Sequence, residues 1–190
     1  MIRVRVLAAI AMAMLCAGCA SLAPDGVAPP AASFDMLGRV LASGGGRAFS
    51  SNLRWRHDAG EHEIWLMSPV GQTLAHIAAD AAGATLTAAD QQVYRAGTVE
   101  ALTESAFGWA LPLARLQHWI QGRVAPDGII ATVSRDTHGR LAALGQDGWT
   151  IRFVYADAAA DMQRPRRLDM VRDGRQIRLV IDDWRVGEAR

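Results

Sequence analysis

The chain has 190 residues, with 20 Lys plus Arg against 19 Asp plus Glu and a formal charge of +1. That near balance excludes the broad cationic surface of a nucleic-acid binder, and a hydrophobic share of 51% is enough for one core of ordinary size. The only cysteines, Cys16 and Cys19, both lie near the N-terminus, so no disulfide can form in the rest of the chain.

The first segment has the parts of an export leader. Arg3 and Arg5 supply the positive start, and residues 6–15 form an apolar run too short to stay in a membrane as a spanning helix. Leu15-Cys16-Ala17-Gly18-Cys19 then reads as a bacterial lipoprotein signal, cut before Cys19 so that this cysteine bears the lipid. Cys16 stands at −3, where such leaders usually carry Leu. A cut before Cys16 would leave bulky Leu15 at −1, so Cys19 is the better acceptor. An ordinary secretory signal with an incidental cysteine is the competing reading. Losing Arg3 and Arg5 changes the charge from +1 to −1 (1 − 2). An unpaired exported thiol is explained by acylation, and several acyl chains anchor stably where one does not. Ala20, where an Asp would favour inner-membrane retention, points to the inner leaflet of the outer membrane. Residues 1–18 are thus a signal peptide, 19–32 a lipidated N-terminus with an Ala- and Pro-rich tether, and 33–190 a single domain. No cofactor is expected beyond the covalent N-acyl and S-diacylglycerol lipid on Cys19.

The domain begins with strands. Period-two alternation runs through Phe34, Met36, Gly38 and Val40, and further strands are predicted at 48–56, 61–67, 72–78, 85–88 and 91–94. Short turns separate them, which implies an antiparallel meander. The period then changes. Thr98 caps a predicted helix with Leu102, Ala106 and Phe107 on one face, ended by Gly108. Pro112 opens a second helix, in which Leu113, Leu116, Trp119 and Ile120 share a stripe that stops at Gly122. Strands resume at 129–133 and 140–144. They continue through Trp149, Ile151, Phe153 and Tyr155, and end in a hairpin of 168–172 and 175–182 around Asp173-Gly174. A sheet of ten or eleven strands tends to curl, and two helices can cover its open face.

Catalytic patterns are lacking. There is no Gly-x-Ser-x-Gly elbow, and the five histidines make no His-x-x-x-His pair. His57 and His62 flank a turn and could meet across it, but they are expected to be solvated. Asp182 and Asp183 are expected on opposite faces of a strand. Most of the six tryptophans are expected in the core, with room left for an acyl chain in a curled, helix-covered interior. Ser68-Pro69-Val70-Gly71 is a turn with Val70 at its tip, suited to touching lipid. The arginines at 164, 166, 167, 172, 175 and 178 read as a solvated strand face, with an acidic partner as the weaker reading.

The mature chain resembles the LolB family of outer-membrane lipoprotein receptors. The resemblance rests on Leu37-Gly38-Arg39-Val40, Leu53-Arg54-Trp55, Ser68-Pro69-Val70-Gly71, Leu111-Pro112-Leu113, the run from Leu116 to Gly122, Gln146-Asp147-Gly148-Trp149 and the closing stretch from Ile177 to Trp184. It implies an incomplete antiparallel barrel of about eleven strands, with a helical lid over an apolar cavity. It implies no enzymatic activity. It implies transfer instead, in which the chain takes acylated lipoproteins from the periplasmic carrier LolA and inserts them into the outer membrane. The family's apolar loop tip, typically Leu, falls on Val70, flanked by Pro69 and Gly71. Leu102, Leu113, Leu116, Trp119 and Ile120 are expected to face the cavity from the helices, with Trp149, Ile151 and Phe153 as candidates from the sheet. The implied partners are the carrier, acylated clients and outer-membrane lipid, and the chain is expected to be a monomer. Two alternatives stay open: a structural outer-membrane lipoprotein with a filled core, and a soluble LolA-like carrier.

Overall fold

The computed structural model describes residues 32–156 and 164–185, apart from the Phe107 side chain. The leader, Cys19 and the tether up to residue 31 lie outside the described residues. Eleven strands and two helices follow in order: β1 (Phe34–Gly44), β2 (Arg47–Asp58), β3 (Glu61–Met67), β4 (Thr73–Asp80), β5 (Gly83–Ala88), β6 (Val93–Ala96), α1 (Val99–Phe107), α2 (Leu113–Trp119), β7 (Ile130–Arg135), β8 (Leu141–Gln146), β9 (Trp149–Val154), β10 (Arg167–Arg172) and β11 (Arg175–Arg185). Alternation put each strand in place; β3 keeps its predicted bounds, and the ends of most others move by one to three residues. Gln91, predicted to start β6, has φ +67 and belongs to the preceding turn.

All strands pair antiparallel in one sheet, in the order β6-β5-β4-β3-β2-β1-β11-β10-β9-β8-β7. Each half of the chain is a meander of near neighbours. The halves join along one seam, where the first strand pairs the last from Asp35–Arg185 to Ser43–Gln176. The edges β6 and β7 are consecutive in sequence, and α1 and α2 lie in the connection between them. The barrel is therefore incomplete.

The seam has one irregularity. Its register shifts between Leu37 and Gly38, which leaves Asp182 as an extra residue in β11. Asp182 and Asp183 are consequently both exposed, against the expectation of opposite faces. Asp182 takes both Nε and Nη2 of Arg39, at 3.0 and 2.7 Å. At the same place a Cβ on Gly38 would stand 2.3 Å from the Val180 carbonyl oxygen, so only glycine lets the two backbones approach.

One sheet face and the helices enclose the core. Met36, Leu53, Trp55, Ile64, Ile77, Leu86, Leu144, Leu168, Leu179 and Ile181 all point inward from the strands. In α1 the buried face is Val99, Leu102 and Thr103. Ala106, predicted on that face, is exposed. The helix is anchored at its start, where the Thr98 hydroxyl accepts from the Ala101 N–H at 3.1 Å, and it ends at Gly108 with φ +77.

Gly38→Ala is expected to destabilise the fold by about 1–3 kcal/mol through this backbone clash. Urea unfolding checks it. An unchanged midpoint would show that the seam has slack that the backbone distances do not.

Candidate functional site

The loop predicted to carry an apolar tip joins β3 to β4. Its turn closes with the Gly71 N–H donating to the Ser68 carbonyl at 2.9 Å, and the Ser68 N–H donates to the Gln72 carbonyl at 2.8 Å. Gly71 has φ +84 with nothing near its missing Cβ, so backbone conformation, not crowding, calls for glycine there. The base is braced from β2: Asn52 Nδ2 donates to the Ser68 carbonyl at 3.3 Å, and the Ser51 hydroxyl donates to the Met67 carbonyl at 2.9 Å. Pro69, Val70 and Gly71 are all exposed, and Val70 is 81% exposed. A firm base thus presents a bare apolar tip.

Strand directions place this tip at one end of the sheet. The β1–β2, β3–β4, β5–β6, β8–β9 and β10–β11 turns and the start of β7 all lie at that end. Val70 and Ile129, each 81% exposed, are there, with Leu41, Phe49, Leu74, Val93, Ile130 and Val171 around them. Only Tyr94 and Val133 of the described exposed large apolar side chains sit nearer the middle of their strands. Single exposed apolar residues need no explanation, but a collection at one end marks a contact surface. Residue 32, where the chain enters the domain, is at the opposite end.

Behind the loops lies the interior. Leu102, Leu113, Leu116, Trp119, Ile120, Trp149, Ile151 and Phe153 all belong to one apolar cluster, and each is 0–5% exposed. The alternation in β9 settles the face left open by the sequence: Trp149, Ile151 and Phe153 point inward, while Thr150 and Arg152 point out. These side chains occupy the space under the helices. A cleft of about 590 Å³ lies elsewhere, lined mainly by outward-facing residues of β1, β2 and β9–β11.

A polar clamp that the sequence did not reveal holds the helical cover. Gln146, fully buried on β8, accepts from Trp119 Nε1 at 2.8 Å and from the Ala125 N–H at 3.2 Å, and donates to the Ala125 carbonyl at 2.7 Å. It ties α2 and the segment after it to the sheet. Thr103 acts similarly within the cover: its hydroxyl donates to the Val99 carbonyl at 2.9 Å and accepts from the Leu111 N–H at 2.8 Å. A buried glutamine in a short strand has no periodic signature, which is why sequence reading misses it.

His57 and His62 correct an expectation. They are not solvated: the rings stack at 4.4 Å between centroids, His57 is buried, and Trp55 Nε1 donates to His62 Nδ1 at 3.2 Å. The cause is register, since the two residues face each other directly across β2 and β3 on the inward side. Burial, aided by His57, pushes His62 down to about 4. Burial also lowers His118, with Arg123, Arg115 and His57 adding to it. Among the described residues no group of three His, Cys, Asp or Glu could hold a metal ion. On the outer face, Trp65 stacks on His76 with Arg54 above it, and Arg54 in turn pairs with Asp35. That tryptophan is therefore not part of the core. The arginine-rich stretch is mostly exposed as expected, with Asp169 taking Arg167 and Arg178.

Comparison with known proteins gives a family match over most of the chain. The family model described as "Outer membrane lipoprotein LolB" matches residues 32–184. An outer-membrane lipoprotein LolB of Thiobacillus denitrificans is 40% identical over 96% of this chain and 97% of its own length. One from Cupriavidus necator is 42% identical over 89% of this chain and 90% of its own. One from Chromobacterium violaceum is 37% identical, over 92% and 96% respectively. Among solved structures, a LolA superfamily protein of Nitrosomonas europaea aligns with a TM-score of 0.47 and 12% identity, covering 85% of this chain and 89% of that one, too distant to argue from.

Two outcomes follow from the geometry. Gln146→Ala should cost about 2–3 kcal/mol, because Trp119 Nε1 and the Ala125 backbone would lose their partner inside the core; chemical denaturation measures it. Lowering the pH should also weaken the fold. The unfolded chain takes up a proton at His62 below about 6.5, whereas the folded chain resists until about 4. Stability is thus lost across that window as pH falls. His62→Gln, which keeps an acceptor for Trp55, should flatten part of the melting-temperature slope there; an unchanged slope would show that His62 does not titrate as its burial requires.

Proposed function

The chain belongs to the outer-membrane lipoprotein LolB family, and on that premise we propose that it receives acylated lipoproteins from a LolA-type periplasmic carrier and inserts them into the outer membrane. It is itself an outer-membrane lipoprotein, with Cys19 as the lipid-bearing residue in this proposal. The observation that carries the reading is the pairing of a largely apolar interior under two short helices with a bare apolar tip at the open loop end.

The chemistry is transfer without covalent change. A methylene moved from water into an apolar environment gains about 0.8 kcal/mol, so an acyl chain is never released free into the periplasm. It passes between apolar sites, and only the difference between them drives each step. Carrier, receptor and bilayer form such a series, with the bilayer as the sink. Leu102, Leu113, Leu116, Trp119 and Ile120 would contact the chain from the helices, and Trp149, Ile151 and Phe153 from the sheet. Room is made when α1 and α2 lift from the sheet, because these short helices bridge an unpaired gap. Gln146 and Thr103 keep the cover in register and set the cost of lifting it. A monomer suffices for this work.

A second reading has one observation behind it. The interior side chains are closely buried, which is also what a purely structural lipoprotein with a filled core would show. Binding of a fluorescent fatty acid by the protein separates the two, since a permanently filled core has no place for the probe.

Val70→Glu tests the loop. Its side chain is bare and its turn is held by backbone bonds, so the fold and acyl binding should survive. Delivery of a client to outer-membrane vesicles should fall by about tenfold or more, since a charge resists entry into lipid. Delivery at the native rate would remove the loop from the mechanism.

A further inference from the structure

We propose that a cationic cleft at the tether end of the fold binds the phosphate of a membrane-lipid headgroup. The cleft, of about 290 Å³, lies between the end of α2 and the β7–β8 turn. Four arginines line it, Arg123, Arg135, Arg140 and Arg164, together with His138 and Tyr155, and no carboxylate is among the described lining residues. The nearby acid, Asp136, is already engaged. It accepts from Arg140 Nε at 2.7 Å and from the His138 and Arg140 backbone N–H groups at 2.9 and 3.0 Å. Among the described residues, Arg123, Arg135 and Arg164 have no carboxylate partner; Arg135 donates to the Gly139 carbonyl at 2.7 Å, and Arg164 lies 4.7 Å above the Trp184 ring.

Tyr155 supplies a second, independent sign. Among the described residues its hydroxyl is buried with no hydrogen-bond partner, beneath the Arg140 guanidinium 4.2 Å from its ring. Burial pushes its phenol up, so it keeps its proton and remains a donor. An orphan buried donor beside several like charges is costly unless an anion completes the set. Guanidinium forks match phosphate oxygens in geometry, and a space of this size suits a small polar group better than a long acyl chain.

Position favours a lipid as the source of that phosphate. Gln121 lines the same cleft and donates through Nε2 to the Ala32 carbonyl at 3.4 Å, where the chain leaves toward Cys19. Thirteen residues (32 − 19) separate the two positions, a reach of at most about 45 Å. The cleft therefore lies within reach of the headgroup layer in which a lipid on Cys19 would sit. Held there between deliveries, the domain would keep its Val70 end turned away from the bilayer and open to an arriving carrier, and it would let go of the headgroup before Val70 meets lipid. This posture rests on the reading given under Proposed function; the binding of phosphate does not.

Titration calorimetry on the full lipidated protein in neutral detergent tests the cleft, with three probes: water-soluble dihexanoyl phosphatidylglycerol, inorganic phosphate and tetraglutamate. The short-chain lipid should bind saturably, with inorganic phosphate competing more weakly. Arg123→Gln with Arg164→Gln should weaken the lipid about tenfold or more, while the two Lys replacements retain most of the binding and guard against a folding defect. No saturable binding, or equal binding by the Gln variant, overturns the site. Phosphate as tight as the lipid overturns the lipid source, and tetraglutamate as tight overturns the anion class in favour of an acidic peptide. Fluorescent fatty-acid binding, read in the same variants, should not change; its absence in the parent protein would count against the proposed function and leave the cleft standing.

Discussion

Everything in this fold depends on the pairing of its first strand with its last. The chain makes two antiparallel meanders, and neither can bury a face alone. The β1–β11 seam joins them into a sheet wide enough to curl, and the curl creates the interior. The seam is held by a ladder of hydrogen bonds, by the Arg39–Asp182 pair at the bulge, and by Gly38, whose missing side chain allows the approach. The pairing is also the most distant in sequence, so it carries the largest loop-closure cost and gives a slow folding step a structural location.

The same seam decides where the functional parts lie. Because β1 runs from the tether end to the loop end, the chain enters the domain far from Val70. One end of the sheet gathers bare apolar side chains, and the other gathers the arginines of the cationic cleft. Between them the sheet curls without closing, and the connection between its two edges carries the helices. An incomplete barrel covered by short helices has a built-in opening that a closed barrel lacks. The polar bonds of Gln146 and Thr103 hold that cover at a few points, in keeping with a cover that must lift.

How much of this was legible in the sequence follows from which signals are local. Strand alternation and turn glycines are local, so Phe34 to Val40, Trp149 to Phe153 and the Asp173-Gly174 hairpin could be read directly. The tip at Val70 was also legible, since Pro69 and Gly71 define its turn. Pairing and register are not local. The His57–His62 stack, the exposed Asp182 bulge and the outward Trp65 depend on which residue sits opposite on another strand. Helix faces fall between the two cases. The stripe of α2 was correct at Leu113, Leu116 and Trp119, and at Ile120 just past the helix end, yet in α1 the buried partner of Leu102 is Thr103, not Ala106. Its hydroxyl is satisfied inside the helix cover, which no hydrophobicity pattern anticipates.

The central claim is that the acyl chain enters the interior between helices and sheet. A lipoprotein client carrying a photoreactive diazirine near the end of one acyl chain, transferred from its carrier and then irradiated, measures this directly. Mass spectrometry of the adduct should place the label on the inward set, at Leu102, Leu116, Trp119, Ile120 or Ile151. Labelling confined to the outer sheet face, around Leu41, Thr150 and Val171, would contradict the account and make the buried cluster a structural core alone.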